Sequence, residues 1–177
     1  MSEEDKLLTS ECLYSECKDA FLNEWDRKKS LENTANIYLS VYSIILGFGL
    51  LKADEIGILF GKAFIKSSIF GNIVFTSAFL LLYCVIRGLW MTIKAIQLQE
   101  YGTFPDPNEL LDSMKDKSKS VYLKSLSNYF ARQVKRNEKE NNKKAEALKD
   151  SFAFIMITVV CVGTIIVSII SFKIIGG

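Results

Sequence analysis

The chain has 177 residues, of which 49% are hydrophobic and 24% charged, and its mean hydropathy is +0.18. These values together require that the charges be segregated from the apolar segments, which excludes a purely soluble domain. The sequence has no histidine and four cysteines, and it contains neither a zinc-binding spacing nor a glycine-rich phosphate loop. We therefore expect no metal, no cofactor and no enzymatic activity.

Residues 1–35 are predicted to form an acidic, cytosolic amphipathic helix. Apolar side chains recur there at close to helical spacing: Leu13, Cys17, Phe21, Trp25 and Leu31. Because neither glycine nor proline interrupts the segment, the helix is expected to continue into the first apolar stretch. The first ten residues, MSEEDKLLTS, lack the basic and apolar regions of a signal peptide.

Three apolar stretches are long enough to cross a hydrocarbon layer as helices. They cover about residues 37–53, 69–86 and 152–172. The expected fold is therefore an all-α integral membrane protein with three transmembrane helices and a cytosolic helical layer. The first two spans form a hairpin over residues 36–98 and the third lies within residues 151–177.

The charges of the connecting segments predict the orientation. Lys and Arg are concentrated before the first span, after the second and before the third. The short loop 54–66 carries two lysines and two acidic residues. By the positive-inside rule, this loop is outside, whereas the N-terminus and residues 99–150 are inside. The apolar part of the loop, Ile56–Ile65, is too short to span; it is expected either to lie in the interface or to be re-entrant.

Residues 99–150 are expected to form a basic helical hairpin. Both prolines of the chain lie in residues 101–108, which should break the helical structure. A short helix over Asn108–Met114 and a turn over Lys115–Ser120 are predicted to follow.

A long helix should begin near Val121 and continue through Asp150 into the third span. Asn137 and Asn141 fall on its apolar face. Buried asparagines on such a face often fix register or oligomeric state.

The two cytosolic segments have opposite charge. Residues 1–34 carry a net charge of −4, and residues 115–149 a net charge of +7. The two segments can pack together, or the basic one can bind an anionic ligand such as a nucleotide or single-stranded nucleic acid, or it can bind anionic lipid. The candidate ligand-binding residues are Lys115, Lys117, Lys119, Lys124, Arg132, Lys135, Arg136, Lys139, Tyr122 and Tyr129.

The spans carry stripes of residues at a spacing of three and four. The first has a polar stripe, Asn33, Asn36, Ser40, Ser43 and Gly47, and the second has a small-residue face opposite an aromatic one. Helix packing explains such stripes; a pore at the centre of a symmetric ring of chains is the alternative. The candidate pore or gate residues are Tyr38, Tyr42, Phe75, Phe79, Tyr83 and Trp90. No ionisable residue lies near the centre of a span, which favours a passive channel or a scaffold over a proton-coupled carrier.

Two stretches carry a family resemblance: RKKSLENTANIYLSVY at residues 27–42, and YLKSLSNYFARQVKRNEKENNKKAEALKDSFAF at residues 122–154. In each, a charged helix leads directly into a span. The chain resembles compact membrane effectors of bacterial anti-phage systems, including SLATT-like proteins and most closely the HalA channel effectors of Hailong systems. Its third span departs from the two-span SLATT pattern.

The resemblance implies a homo-oligomeric ion channel, with a tetramer favoured, that depolarises the bacterial inner membrane in abortive infection. It also implies a signal made by a partner nucleotidyltransferase, either a DNA oligomer that holds the channel closed or a cyclic nucleotide that opens it. The C-terminus would be periplasmic. The alternative function is a non-conducting membrane anchor or scaffold for a cytosolic defence partner.

Overall fold

The structure, a computed structural model, describes residues 2–51, 68–97, 101–106 and 118–176, together with Asp54, Gly57, Ile58 and Gly61. It contains three long helices, α1 (Glu3–Leu51), α2 (Ser68–Ile96) and α3 (Lys119–Gly176). The described ranges contain no strand, so the all-α class is confirmed. Each of the three helices is long and apolar enough to cross a membrane.

α1 and α3 each run without a break from a charged segment into an apolar one. This confirms the prediction that both helices are continuous. The start of α1 is capped by Ser2 and Asp5. The Ser2 backbone N–H donates to Asp5 Oδ2 at 2.9 Å, and the Asp5 N–H donates to Ser2 Oγ at 3.1 Å, which is a reciprocal capping arrangement. The bond from the Ser2 backbone is the main reason why the pKa of the Asp5 carboxyl lies below its ordinary value.

The observed helix ends differ in part from the bounds of the predicted segments. α3 begins at Lys119, within the segment predicted as a turn, because nothing in Lys119–Ser120 opposes a helix. α2 continues to Ile96, beyond the apolar stretch 69–86, with Gly88 inside the helix. The predicted helix Asn108–Met114 and most of loop 54–66, including most of Ile56–Ile65, lie outside the described residues.

The chain divides into two compact units. The first, here called the charged unit, comprises Met1–Glu32 and Gln97–Ala145. The second, the apolar unit, comprises Asn33–Ile96 and Glu146–Gly177. All three candidate spans contribute to the apolar unit.

An aromatic cluster forms the core of the charged unit. Phe21, Leu126 and Phe130 are buried at its centre. Phe104 adds an edge-to-face contact with Phe21, with ring centroids 4.8 Å apart, a favoured geometry for aromatic pairs. The inward face of α1 includes Cys17, Phe21 and Trp25 as predicted, but Leu13 is exposed. Tyr14, one residue further along the helix, packs inward instead.

The core of the apolar unit combines all three helices. Tyr42, Val85 and Ile155 are buried together. α2 turns its small residues inward, with Cys84 and Gly88 buried. Small side chains allow helices to approach closely, as predicted for this face.

Candidate functional site

A row of cationic side chains lies exposed along one face of α3 in the charged unit. Lys124, Arg132, Lys135 and Lys139 are spaced close to whole helical turns and are all exposed. Within the described part of the chain, no ion pair involves these four. Arg136 is also exposed on this side and has an interaction partner. The face therefore presents several cations that are available to an anion.

Other cations of the basic segment are paired within the unit. Lys119 Nζ contacts Glu11 Oε1 at 2.6 Å, and Lys144 Nζ contacts Glu32 Oε1 at 2.9 Å. Both partners belong to α1, so the acidic and basic segments do pack together through these pairs. The intramolecular interpretation applies to these two lysines, while the four exposed cations keep the ligand and lipid alternatives open. Lys115 and Lys117 lie outside the described residues.

The tyrosines that were predicted to stack on bases pack against the core of the charged unit. Tyr122 and Tyr129 both pack against the aromatic cluster. The Tyr129 hydroxyl also donates to the Thr103 carbonyl at 2.8 Å. The exposed face of α3 thus offers cations that suit phosphate groups more than rings that suit bases.

Tyr101 is held between two ammonium groups. Its ring centroid lies 4.3 Å from Lys28 Nζ and 5.0 Å from Lys144 Nζ, within the range of cation–π attraction. Lys144 is only 2% exposed, and its charge is balanced by Glu32. Burial raises the pKa of the Tyr101 hydroxyl, with Lys144 opposing, so the hydroxyl stays protonated and donates to Asn141 Oδ1 at 2.9 Å.

The two asparagines on the apolar face of α3 are fully buried within the chain itself. Asn141 Nδ2 donates to the Glu24 carbonyl and to Glu24 Oε2, at 2.8 and 2.7 Å. Asn137 Oδ1 accepts from the Gly102 N–H at 2.8 Å, whereas its Nδ2 has no partner among the described residues. These residues fix how α1 and segment 101–106 pack on α3, which is a register role within one chain.

A hydroxyl network joins the three helices of the apolar unit. The Tyr42 hydroxyl donates to the Ser151 carbonyl at 2.9 Å. Ser151 Oγ donates to the Gly88 carbonyl at 3.1 Å and lies 2.7 Å from Thr92 Oγ1. A Cβ atom at Gly88 would overlap the phenol ring of Tyr42, so glycine is required for this close approach.

The candidate gate residues divide into buried and exposed groups. Tyr42 is fully buried in the network and Tyr38 is half-buried, stacked on Phe152 with centroids 6.2 Å apart. The aromatic side chains of α2 are exposed on the outside of the apolar unit: Phe75, Phe79, Tyr83 and Trp90. The structure thus does not bring the two tyrosines of α1 and the aromatic face of α2 together.

Two of these arrangements have little signal in the sequence. The Lys28–Tyr101–Lys144 contact joins three distant segments, and its only sequence signal is an aromatic residue beside the proline-containing break. The Ser151–Thr92 contact uses one residue just before the third predicted span and one beyond the end of the second, and an isolated hydroxyl at either position gives no sequence signal. Only the small-residue face containing Gly88 indicated that helices approach each other there.

Comparisons of the chain with protein-family models, with curated proteins and with solved structures found no match. Among the described residues, no group of three or more His, Cys, Asp or Glu side chains is arranged to hold a metal ion. The features that bear on function are therefore the exposed cations of the charged unit and the apolar surface of the apolar unit.

Proposed function

We propose that the protein is a homo-oligomeric ion channel of bacterial anti-phage defence that depolarises the inner membrane. A DNA oligomer or nucleotide signal, made by a partner nucleotidyltransferase and bound at the cytosolic basic region, controls the channel and holds it closed. The N-terminus is cytosolic and the C-terminus periplasmic in this proposal. The observation that carries it is the pairing, in one short chain, of three membrane-length helices with an exposed cationic face.

The surface of the apolar unit supports the membrane part of the proposal. Large apolar side chains are exposed on all three helices, for example Phe48 on α1, Phe79 on α2 and Val160 on α3. Soluble monomers rarely expose extended apolar patches, whereas lipid chains favour such a surface. The apolar unit contains no buried ion pair in its described residues, which suits a passive pore better than an ion-coupled carrier.

The cationic face of α3 supports the ligand part. Lys124, Arg132, Lys135 and Lys139 are exposed on one side of a continuous helix. Phosphates spaced along an extended oligonucleotide fit a linear row of cations, and such binding weakens as salt competes for the phosphates. A helix that continues from this face into a candidate span gives a direct covalent link between the ligand region and the membrane.

Depolarisation on expression tests the channel. Cells that make abundant, membrane-inserted protein without its regulator should lose membrane potential, as read with a voltage-sensitive dye. A normal potential in such cells, with insertion verified by fractionation, contradicts the channel.

Charge substitution tests the ligand region. The double variant Lys135→Gln/Lys139→Gln should bind short single-stranded DNA at least about ten times more weakly at low salt, because two phosphate contacts are lost. The matched control is Lys6→Gln/Lys18→Gln, which removes the same charge from exposed positions of α1 and should bind like the parent. Equal weakening in both variants would show that net charge alone drives binding.

The exposed cationic face also favours one alternative, a non-conducting anchor that binds an acidic cytosolic partner. In that case the Lys135→Gln/Lys139→Gln variant loses a protein partner in co-purification. Ion flux then remains at background in every condition, which separates the anchor from the channel.

A further inference from the structure

Acidic side chains line the outward face of α1 in the charged unit. Four exposed carboxylates form this acidic row and, at 100° per residue, fall within about a quarter of the helix circumference: Asp5, Glu16, Asp19 and Asp26. The basic residues of α1 lie outside this arc; Arg27, for example, donates to Asn142 Oδ1 of α3 at 2.7 Å. The buried Phe21 lies on the opposite side of the helix, so the acidic row points away from the core.

The exposed cations of α3 form a second row of opposite charge. This cationic row occupies an arc of similar width and consists of Lys124, Arg132, Lys135 and Lys139. No acidic residue of 119–145 shares that arc, and the buried Phe130 lies on the opposite side of the helix. Because each row lies on the far side of its own helix from the contact between α1 and α3, the two rows cannot meet within one chain.

The acidic row is not neutralised by the cations of its own chain. Among the described residues, Glu16 and Asp19 take part in no ion pair, and Asp26 Oδ1 lies 3.9 Å from the exposed Lys29 Nζ. Exposed pairs of this kind contribute little. Each chain therefore carries an acidic surface and a cationic surface that are both available, so a second copy is a partner of complementary charge.

The contacts between α1 and α3 show which of their residues lie level with each other. The two helices run in the same direction, and three pairs of contacting residues are 108, 117 and 112 positions apart in the sequence. Arg132 lies 113 positions after Asp19. Lys139 lies 113 positions after Asp26. Two members of the acidic row are thus level with two members of the cationic row, although the rows face away from each other.

We propose that the acidic row of α1 docks on the cationic row of α3 of a neighbouring copy, with Asp19 level with the neighbour's Arg132 and Asp26 with its Lys139. Copies that are inserted in one orientation and related by an axis along the membrane normal keep these levels. Each copy then uses one row towards each of its two neighbours, and such a head-to-tail contact can close into a ring. This inference rests on the proposed homo-oligomer and identifies the surfaces that join its charged units.

The cationic row then serves two competing anions. The carboxylates of the neighbouring copy and the phosphates of an oligonucleotide bind the same side chains. Since exposed ion pairs are individually weak, the docking between copies is reversible. Binding of the oligonucleotide therefore separates neighbouring charged units, which couples the ligand to the arrangement of the ring.

Cross-linking of the full-length protein tests the docking. In a Cys12→Ser/Cys17→Ser background, which keeps the buried Cys84 and Cys161, Asp26→Cys and Lys139→Cys are introduced separately and together. Both positions are exposed, so the fold should not be disturbed, and gel filtration against the parent checks this. The variants are purified in detergent micelles, treated with a short bismaleimide that links two thiols, and separated by denaturing electrophoresis.

The double-cysteine variant should give at least about five times as much linked dimer as either single-cysteine variant, together with higher species of the ring. The two single-cysteine variants, when co-expressed, should stop at dimers, because each chain then carries one reactive row. Linkage in the double variant that is no greater than in the single variants overturns the docking. If links form but no flux is measured in liposomes, the channel proposal fails and the docking stands; flux that DNA suppresses, without links, has the opposite meaning.

DNA binding tests the competition with the cationic row intact. Asp19→Asn/Asp26→Asn removes the competing carboxylates and should bind short single-stranded DNA about three to ten times more tightly than the parent at the same salt concentration. The matched control is Glu3→Gln/Glu4→Gln, which makes the same change of charge at exposed positions outside the acidic row and should bind like the parent. Unchanged binding of the first variant, or equal tightening in both, overturns the competition.

Discussion

The charged and apolar units differ in the side chains that hold their segments together. In the charged unit, long polar side chains cross between segments, as when Lys144 reaches Glu32 and Asn141 reaches Glu24. In the apolar unit, the helices touch through hydroxyls, a glycine and a small apolar core, and many large apolar side chains face outward. The stability of the charged unit should therefore be sensitive to changes of charge and hydrogen bonding. The apolar unit should be sensitive to changes of volume.

The largest expected effect tests volume in the apolar unit. Gly88→Ala places a Cβ atom in direct overlap with the hydroxyl oxygen of the buried Tyr42, so the loss should exceed the ~1–3 kcal/mol that overpacking typically costs. The free energy of unfolding in mixed micelles, followed by circular dichroism, measures it. Gly49→Ala is the matched control, because a Cβ atom there meets nothing within 4 Å. Equal stability of the two variants would contradict the close helix approach.

The next effect concerns the Lys144–Glu32 ion pair of the charged unit, whose two partners should not be equally costly to remove. Glu32→Gln leaves the Lys144 ammonium buried without its counter-charge, which should lower the free energy of unfolding by about 3 kcal/mol. Lys144→Met leaves the Glu32 carboxylate 38% exposed and still 4.0 Å from Lys28 Nζ, so the loss should be about 1 kcal/mol. Chemical unfolding of the two variants and of the double variant measures the asymmetry. A larger loss for Lys144→Met would show that the pair is not balanced as described.

A smaller effect separates two buried amides of the charged unit. Asn141→Ala removes three hydrogen bonds and leaves the Tyr101 hydroxyl without an acceptor, which should cost about 1–3 kcal/mol. Asn137→Ala removes a single bond to Gly102, and should cost less. Because both side chains are fully buried, the volume lost is the same, so the difference reports hydrogen bonding. Equal losses would indicate that volume, and not polar contact, dominates here as well.

The smallest effect is a pH dependence at the start of α1. The pKa of Asp5 is lowered in the folded chain because Ser2 donates hydrogen bonds to its carboxylate. Its contribution is therefore complete above the ordinary carboxyl pKa and is lost as the pH falls through the lowered folded value. Amide exchange in the first turn should accelerate over that acidic range in the parent chain. In Asp5→Asn, exchange there should be faster at neutral pH, and the acid-induced change attributable to this cap should be absent.

The sequence predicted the helices well because the signals there are local. Apolar runs of membrane length and the absence of glycine or proline near residues 35 and 150 are enough to predict continuous helices. The inward position of Phe21, Phe130 and Asn141 follows from helical spacing alone.

The contacts between segments were not predictable in the same way. Tyr101 sits between Lys28 and Lys144 because three distant segments meet, and no spacing along the chain encodes that meeting. Tyr122 and Tyr129 lie close to lysines in the sequence, and this mixed composition suggested that they stack on bases. Their positions on the helix instead turn both rings towards the core. Periodicity placed Phe21, Phe130 and Asn141 on the correct faces and misplaced Leu13, while composition alone could not tell an exposed ring from a packed one.

Ion flux through the purified protein in liposomes, with and without short single-stranded DNA, is the most direct test of the proposed channel. We expect flux from the protein alone and its suppression by DNA, with the Lys135→Gln/Lys139→Gln variant conducting but resisting suppression. Background flux in both conditions, from protein shown to be inserted, would contradict the channel and favour the anchor.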